Sequence, residues 1–245
     1  MKVVALKTVA LLLGILATGT ATAADCGPDT LGTARTITLK RESALYGTNQ
    51  HAPLPLQKGE VVLTFDDGPI PETTPLVLKA LADQCAKATF FMIGENLAKA
   101  PELGRRVASE GHSTGIHSNT HPHLATLSAA AQLADLKQAQ ASYQAAFDSA
   151  TPAYRFPFLE ETPIMLAALK EANITVASID LAITDWLPDD TTEILAARLV
   201  KSLDASGGGI ILMHDANPPT AKAIPTLLKV LKTKGYRVVH VEWEK

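Results

Sequence analysis

The chain has 245 residues, 47% of them hydrophobic and 19% charged, with a formal net charge of −3. That apolar content suits one large globular domain and excludes a chain without a core. A mildly acidic chain with no basic patch also argues against nucleic acid as a partner.

Residues 1–23 read as a secretory signal. Lys2 and Lys7 lead, an apolar run covers residues 9–17, and small residues end at Ala21-Thr22-Ala23. The run is too short to span a bilayer. The expectation is a soluble protein exported to the periplasm or beyond, with no membrane span once the signal is removed. Loss of Lys2 and Lys7 leaves 20 basic residues against 25 acidic ones. The two cysteines, Cys26 and Cys85, are an even count in an oxidising compartment, which favours a disulfide tying the mature N-terminus to the first helix.

Residues 24–60 form a mixed lead-in segment, with a strand predicted at 36–39 and turn residues and prolines over 47–57. From residue 61 to 245 short apolar runs alternate with segments of helical period. The runs cover 61–65, 88–93, 111–116, 154–158, 174–179, 210–213 and 236–241. Helices are predicted over 74–84, 95–109, 128–147, 162–171, 192–203 and 220–232, the second of them kinked or split at Pro101. Strands alternating with helices predict parallel βαβ units, and continuous apolar runs predict strands covered on both faces. No Gly-rich dinucleotide turn is present, which favours an α/β barrel of about seven repeats over an open doubly wound sheet.

In such folds functional residues collect where strands end. The first run delivers Asp66 and Asp67 and breaks at Gly68-Pro69, a turn able to swing both carboxylates toward one cleft. The third run leads to His117 and His121, spaced i, i+4, which on one helical turn places both imidazoles on one face, with His123 as a bystander. With Asp67 they make a two-nitrogen, one-carboxylate set that leaves open positions on a zinc-like ion. The fourth run contains Arg155 in apolar surroundings, where it needs a partner, either Asp66 or Asp185. The sixth ends on His214 and Asp215, and a histidine there is suited to donate a proton near neutral pH.

Five motifs in order, T-F-D-D-G-P, H-S-N-T-H-P, R-F-P-F, T-D-W and L-M-H, make residues 61–241 resemble the polysaccharide deacetylases, carbohydrate esterase family four, or NodB-like domain. The resemblance implies a distorted (β/α) barrel with a divalent metal, zinc foremost and cobalt, nickel or manganese as alternatives, held by Asp67, His117 and His121. It implies Asp66 as general base, His214 as general acid, and Arg155 and Asp185 as the groups that orient and tune them. The backbone N–H of Phe158 would stabilise the oxyanion, and Trp186 and Leu212 would line the acetyl pocket.

Two positions depart from the family pattern. Phe158 stands where tyrosine is frequent, and Ala182 stands where a further aspartate is common, with Asp180 two residues earlier. The implied function is removal of N-acetyl groups from an N-acetylglucosamine-containing polysaccharide, such as peptidoglycan, chitooligosaccharide or exopolysaccharide. The alternatives are an O-acetyl xylan esterase of the same fold and a non-catalytic glycan-binding protein.

Overall fold

The structure is a computed structural model that describes residues 26–244; the expected signal segment at 1–23 lies outside them. In chain order the elements begin β1 (Thr33–Leu39), β2 (Leu45–Tyr46), β3 (Glu60–Asp66), α1 (Thr74–Asp83), β4 (Thr89–Met92), α2 (Gly94–Lys99), α3 (Pro101–Ser109) and β5 (Ser113–Ile116). They continue with α4 (Ala129–Phe147), β6 (Ala153–Tyr154), α5 (Pro163–Glu171), β7 (Thr175–Ala177), β8 (Leu181–Ala182), α6 (Thr192–Ser206), β9 (Gly209–His214), α7 (Pro218–Thr233) and β10 (Arg237–Trp243).

Every strand ladder is parallel. β3 lies between β9, which it pairs along its length, and β4. The wall continues through β5, β6 and β7 on one side and reaches β8 on the other. Among the described residues no ladder joins β7 to β8, and residues 178–180 carry the chain directly between them. The result is a distorted (β/α) barrel.

The lead-in is woven into this sheet. β1 pairs with β10 from Thr33 opposite Val238 to Leu39 opposite Trp243, and β2 pairs with β7. β10 forms a ladder with only the first two residues of β3, Glu60 and Val61. The last apolar run therefore serves mainly β1.

The two-residue period of β3 sorts its side chains by face. Val61, Leu63 and Phe65 pack in one cluster with Val77 and Leu81 of α1 and Leu227 of α7. Val62 joins a second cluster with Ile210, Val239 and Leu39. Burying each such side chain contributes about 1.5–3 kcal/mol. The inward face of β3 thus climbs from Val62 through Thr64 to Asp66, from an apolar floor to an acid.

Helix ends follow local chemistry. The hydroxyls of Ser128, Thr162 and Thr191 accept from the N–H groups of Ala131, Met165 and Ile194. Helix 95–109 splits as expected: α2 stops at Lys99, Ala100 has φ of −132°, and α3 restarts with Pro101 at its first position. Cys26 and Cys85 form a disulfide across a Cα separation of 5.8 Å, fastening the start of the described chain to the end of α1.

The fourth run is corrected. Only Ala153–Tyr154 is strand, not residues 154–158. Pro157 has no N–H to give to a ladder, and Phe158 and Leu159 have φ of 55° and 58°, so the chain turns into a single 3-10 turn there.

Candidate active site

Asp66 is the last residue on the inward face of β3 and is buried. Its neighbour would point away in regular strand, but Asp67 has φ of 76°, in the left-handed region. That conformation costs a non-glycine residue about 1–2 kcal/mol and brings the second carboxylate into the same cleft. Several bonds hold it. The Gly68 N–H donates to Asp215 Oδ1 at 3.1 Å, the Thr74 hydroxyl bonds the other Asp215 oxygen, and Asn96 Nδ2 donates to the Asp67 carbonyl at 2.8 Å. A Cβ at position 68 would strike the Asp215 carboxylate and force it from its bonds to Gly68 and Thr74.

Asp215 was legible as a strand-end acid but carried no assigned task. Burial raises its carboxyl to about 7, against the hydrogen bond from Thr74, with the Asp67 charge adding to the rise. Replacing Asp215 with alanine strands the buried Gly68 N–H, and a loss of about 1–3 kcal/mol in stability is expected. Urea unfolding checks it, and asparagine, which keeps a carbonyl acceptor, should recover part of the loss.

His117 and His121 do not share a helical turn. They lie on a loop after β5 in which Ser118 and His121 have φ of 62° and 56°. The left-handed residues fold the loop tightly enough to bring the rings to 4.9 Å, so the spacing meets its purpose by another backbone. Asp135 of α4 anchors it, accepting from the N–H groups of Asn119 at 2.9 Å and Thr120 at 3.2 Å. Ser118 Oγ accepts from the His121 N–H at 2.8 Å.

The His117 tautomer follows from geometry. Nδ1 lies 2.9 Å from the Arg155 carbonyl, which can only accept, so Nδ1 carries the proton and Nε2 offers a lone pair. Burial pushes the imidazole down to about 3, so it is neutral at ordinary pH. Nε2 of His117 and Nε2 of His121 each lie 3.6 Å from Asp67 Oδ1, and that oxygen is buried without a hydrogen-bond partner. One ligand atom from each of Asp67, His117 and His121 falls within 4.8 Å of the others. An orphaned carboxylate oxygen facing a neutral imidazole lone pair fits a divalent cation.

The open question of partners resolves into two separate pairs. Arg155 is fully buried and donates from Nη1 to Asp66 Oδ1 and Thr64 Oγ1, both at 2.8 Å. Its Nε and Nη2 donate to the carbonyls of Ala177 and Ser178, and its guanidinium lies 4.2 Å from the centre of the Phe91 ring. Burial raises the Asp66 carboxyl above its ordinary range, against the opposing charge of Arg155.

Asp185 belongs to His214. Its Oδ1 lies 2.8 Å from His214 Nδ1, while its Oδ2 accepts from the His214 N–H at 2.9 Å and the Thr220 hydroxyl at 2.6 Å. Burial works to lower the His214 pKa, but the hydrogen bond and charge of Asp185 prevail, aided by Asp66 and Asp67, and raise it to about 9.

Asp66, Asp67, His117, His121 and His214 line one cleft of about 460 Å³ together with Phe158, Trp186 and Leu212. Leu212 is buried, while Phe158 and Trp186 are half exposed. Trp186 meets the His214 ring edge-on at 5.6 Å, and Phe158 meets His121 edge-on at 4.5 Å. His123 lies outside the grouped donors and stacks on Phe158 at 3.9 Å. Phe156, Leu159, Ile179 and Asn217 complete the lining; Phe156 lay within and Leu159 beside the R-F-P-F motif, and Ile179 ended the fifth apolar run, without any of them being singled out. Asp180 stays out of the cleft. It accepts from Thr48 and from the Ile210 N–H, tying the lead-in to β9.

The polysaccharide deacetylase family profile matches residues 54–177. A chitooligosaccharide deacetylase of Bradyrhizobium is 32% identical over 193 residues, covering 73% of this chain and 87% of that protein. A peptidoglycan-N-acetylglucosamine deacetylase of Bacillus cereus is 32% identical over 189 residues, covering 76% and 68%. A solved peptidoglycan deacetylase of Bdellovibrio bacteriovorus shares the fold with a TM-score of 0.78 at 28% identity, over 91% of this chain and 63% of that one. With its parallel barrel, its acids and histidines gathered at strand ends and these likenesses, the chain belongs to the polysaccharide deacetylase family.

Proposed function

We propose that this protein is a metal-dependent hydrolase that removes N-acetyl groups from an N-acetylglucosamine-containing glycan. The observation that carries the reading is the meeting, in one cleft, of two tuned groups on the paired ends of β3 and β9: Asp66 backed by Arg155 and His214 backed by Asp185, with the Asp67, His117 and His121 donors beside them. A pure binding protein has no use for a base and an acid placed in this way. The relatives named above act on chitooligosaccharide and peptidoglycan, which supports an amino-sugar polymer as substrate.

Asp67, His117 and His121 would hold the ion, and zinc suits their two nitrogens and one oxygen. When bound, such an ion supplies Lewis acidity, polarising the amide carbonyl and lowering the pKa of water from about 15.7 toward about 7. Asp66 accepts the proton of the attacking water, its orientation fixed by Arg155. The Phe158 N–H donates to the oxyanion of the tetrahedral intermediate, a contribution worth about 3–4 kcal/mol for a well-aimed donor. His214, protonated at neutral pH through Asp185, gives its Nε2 proton to the leaving nitrogen, and acetate departs from the free amine. Trp186 and Leu212 form the apolar wall for the acetyl methyl. The Cys26–Cys85 bond supports an oxidising compartment, in keeping with export.

The test is acetate release by the mature chain, stripped of metal and reloaded with zinc or cobalt, from chitooligosaccharides, peptidoglycan and acetylated xylan. Release from an amino-sugar polymer that needs metal and falls at least about 10³-fold in Asp66→Asn is the expected result. Release from xylan alone would replace this reading with an O-acetyl esterase.

A further inference from the structure

The turn at Gly47–His51 precedes the stretch matched by the family profile, which starts at residue 54. It nevertheless reaches two walls of the cleft. On one side the Asn49 N–H donates to the carbonyl of Ile179, a lining residue, at 2.9 Å. On the other, Gln50 Nε2 donates to the carbonyl of Leu159, also a lining residue, at 2.9 Å. Gln50 Oε1 accepts from Ser178 Oγ at 2.6 Å, so one side-chain amide spans the loops after β6 and β7. Its orientation is unambiguous: the Leu159 carbonyl can only accept, so the NH₂ group must face it. His51 adds a second tie, with Nε2 at 2.5 Å from Glu161 Oε1. The seat is close because residue 47 is glycine with φ of 108°, and a Cβ there would collide with the backbone of Ser178 and Ile179.

The loop so tied needs support. Phe158 and Leu159 are consecutive left-handed, non-glycine residues, each costly by itself. The same loop places Phe158 in the lining of the cleft. Ser178, held by Gln50, also gives its carbonyl to Arg155, the partner of Asp66.

We propose that the lead-in turn is a brace that sets the position of the Phe158–Leu159 backbone, and that Gln50 is a positioning residue for the reaction through that loop. This rests on the function proposed above, in which the Phe158 N–H faces the oxyanion. The turn thereby supplies part of the active-site geometry from outside the stretch this chain shares with the family profile.

Two variants of the full mature chain test it. Gln50→Ala removes both bonds. Gln50→Glu keeps the length and the acceptor used by Ser178 but sets an oxygen against the Leu159 carbonyl. Amide hydrogen exchange over residues 158–162 should quicken about tenfold in both, the effect of one lost hydrogen bond, while the melting temperature stays within about 2 °C because Gln50 is exposed. Acetate release should show kcat down about tenfold with KM changed less than about threefold. Exchange at the wild-type rate in both variants would overturn the brace, and quickened exchange with unchanged kcat would overturn the positioning role. A wild-type chain that releases no acetate would refute the proposed function instead, with the exchange measurement still deciding whether the brace exists.

Discussion

Replacing Asp185 with asparagine is expected to lower turnover by well over about tenfold, with bound metal retained and the alkaline limb of the pH–rate profile moved down by at least about one unit. The sign follows from the His214 environment. Burial alone would depress that imidazole, and Asp185, by hydrogen bond and charge, lifts it to about 9. An acid must hold its proton to work, so activity is lost as pH rises through the folded pKa. Removing the Asp185 charge lets burial prevail and brings that loss to lower pH. Asparagine also offers its NH₂ group where Nδ1 of His214 needs an acceptor, which disfavours the tautomer with a proton at Nδ1. The check is kcat against pH for both proteins, with metal content measured alongside. An unmoved alkaline limb would reject the pairing as the source of the acid.

The second large effect concerns stability. Arg155→Met should cost about 3–5 kcal/mol, because it leaves Asp66 buried without its counter-charge. For a chain of this length that corresponds to roughly 10–15 °C in melting temperature. Arg155 already holds Asp66 below the value burial alone would impose. Without it the folded pKa rises further above the unfolded one, and the deficit should shrink as pH falls and Asp66 takes up a proton. Thermal melts of both proteins across pH give the answer, and a deficit constant with pH would indicate lost packing in place of lost charge pairing.

Much of this site was readable in the sequence because its chemistry and its backbone signal coincide. Asp66-Asp67-Gly68-Pro69 announces both the carboxylates and the break that exposes them, and His214 closes an unbroken apolar run. Arg155 stood out because a lone cation in apolar surroundings demands a partner. Its choice of Asp66 over Asp185 depends on which strand ends face each other across the barrel, and no local pattern encodes that. The histidine spacing suggested a helical turn, but two left-handed residues bring the rings together equally well. β2 and β8 have two residues each, too few for any period to register. Asp215 showed only as an acid at a strand end and Asp135 gave no signal of its own, since their tasks lie in backbone N–H groups supplied from elsewhere in the chain.

The ladder between β1 and β10 carries a consequence for how the molecule is made. Thr33 has its partner in Val238, so the first long strand to leave the ribosome waits for the last one. Until β10 arrives, Ile37 and Leu39 lack the neighbours Val239 and Val241 that cover them. Assembly of the finished sheet is therefore a late event, slow by the measure of how far apart in sequence its contacts lie. Until then one edge of β1 has nothing to lie against, and only the arrival of β10 closes the sheet over it.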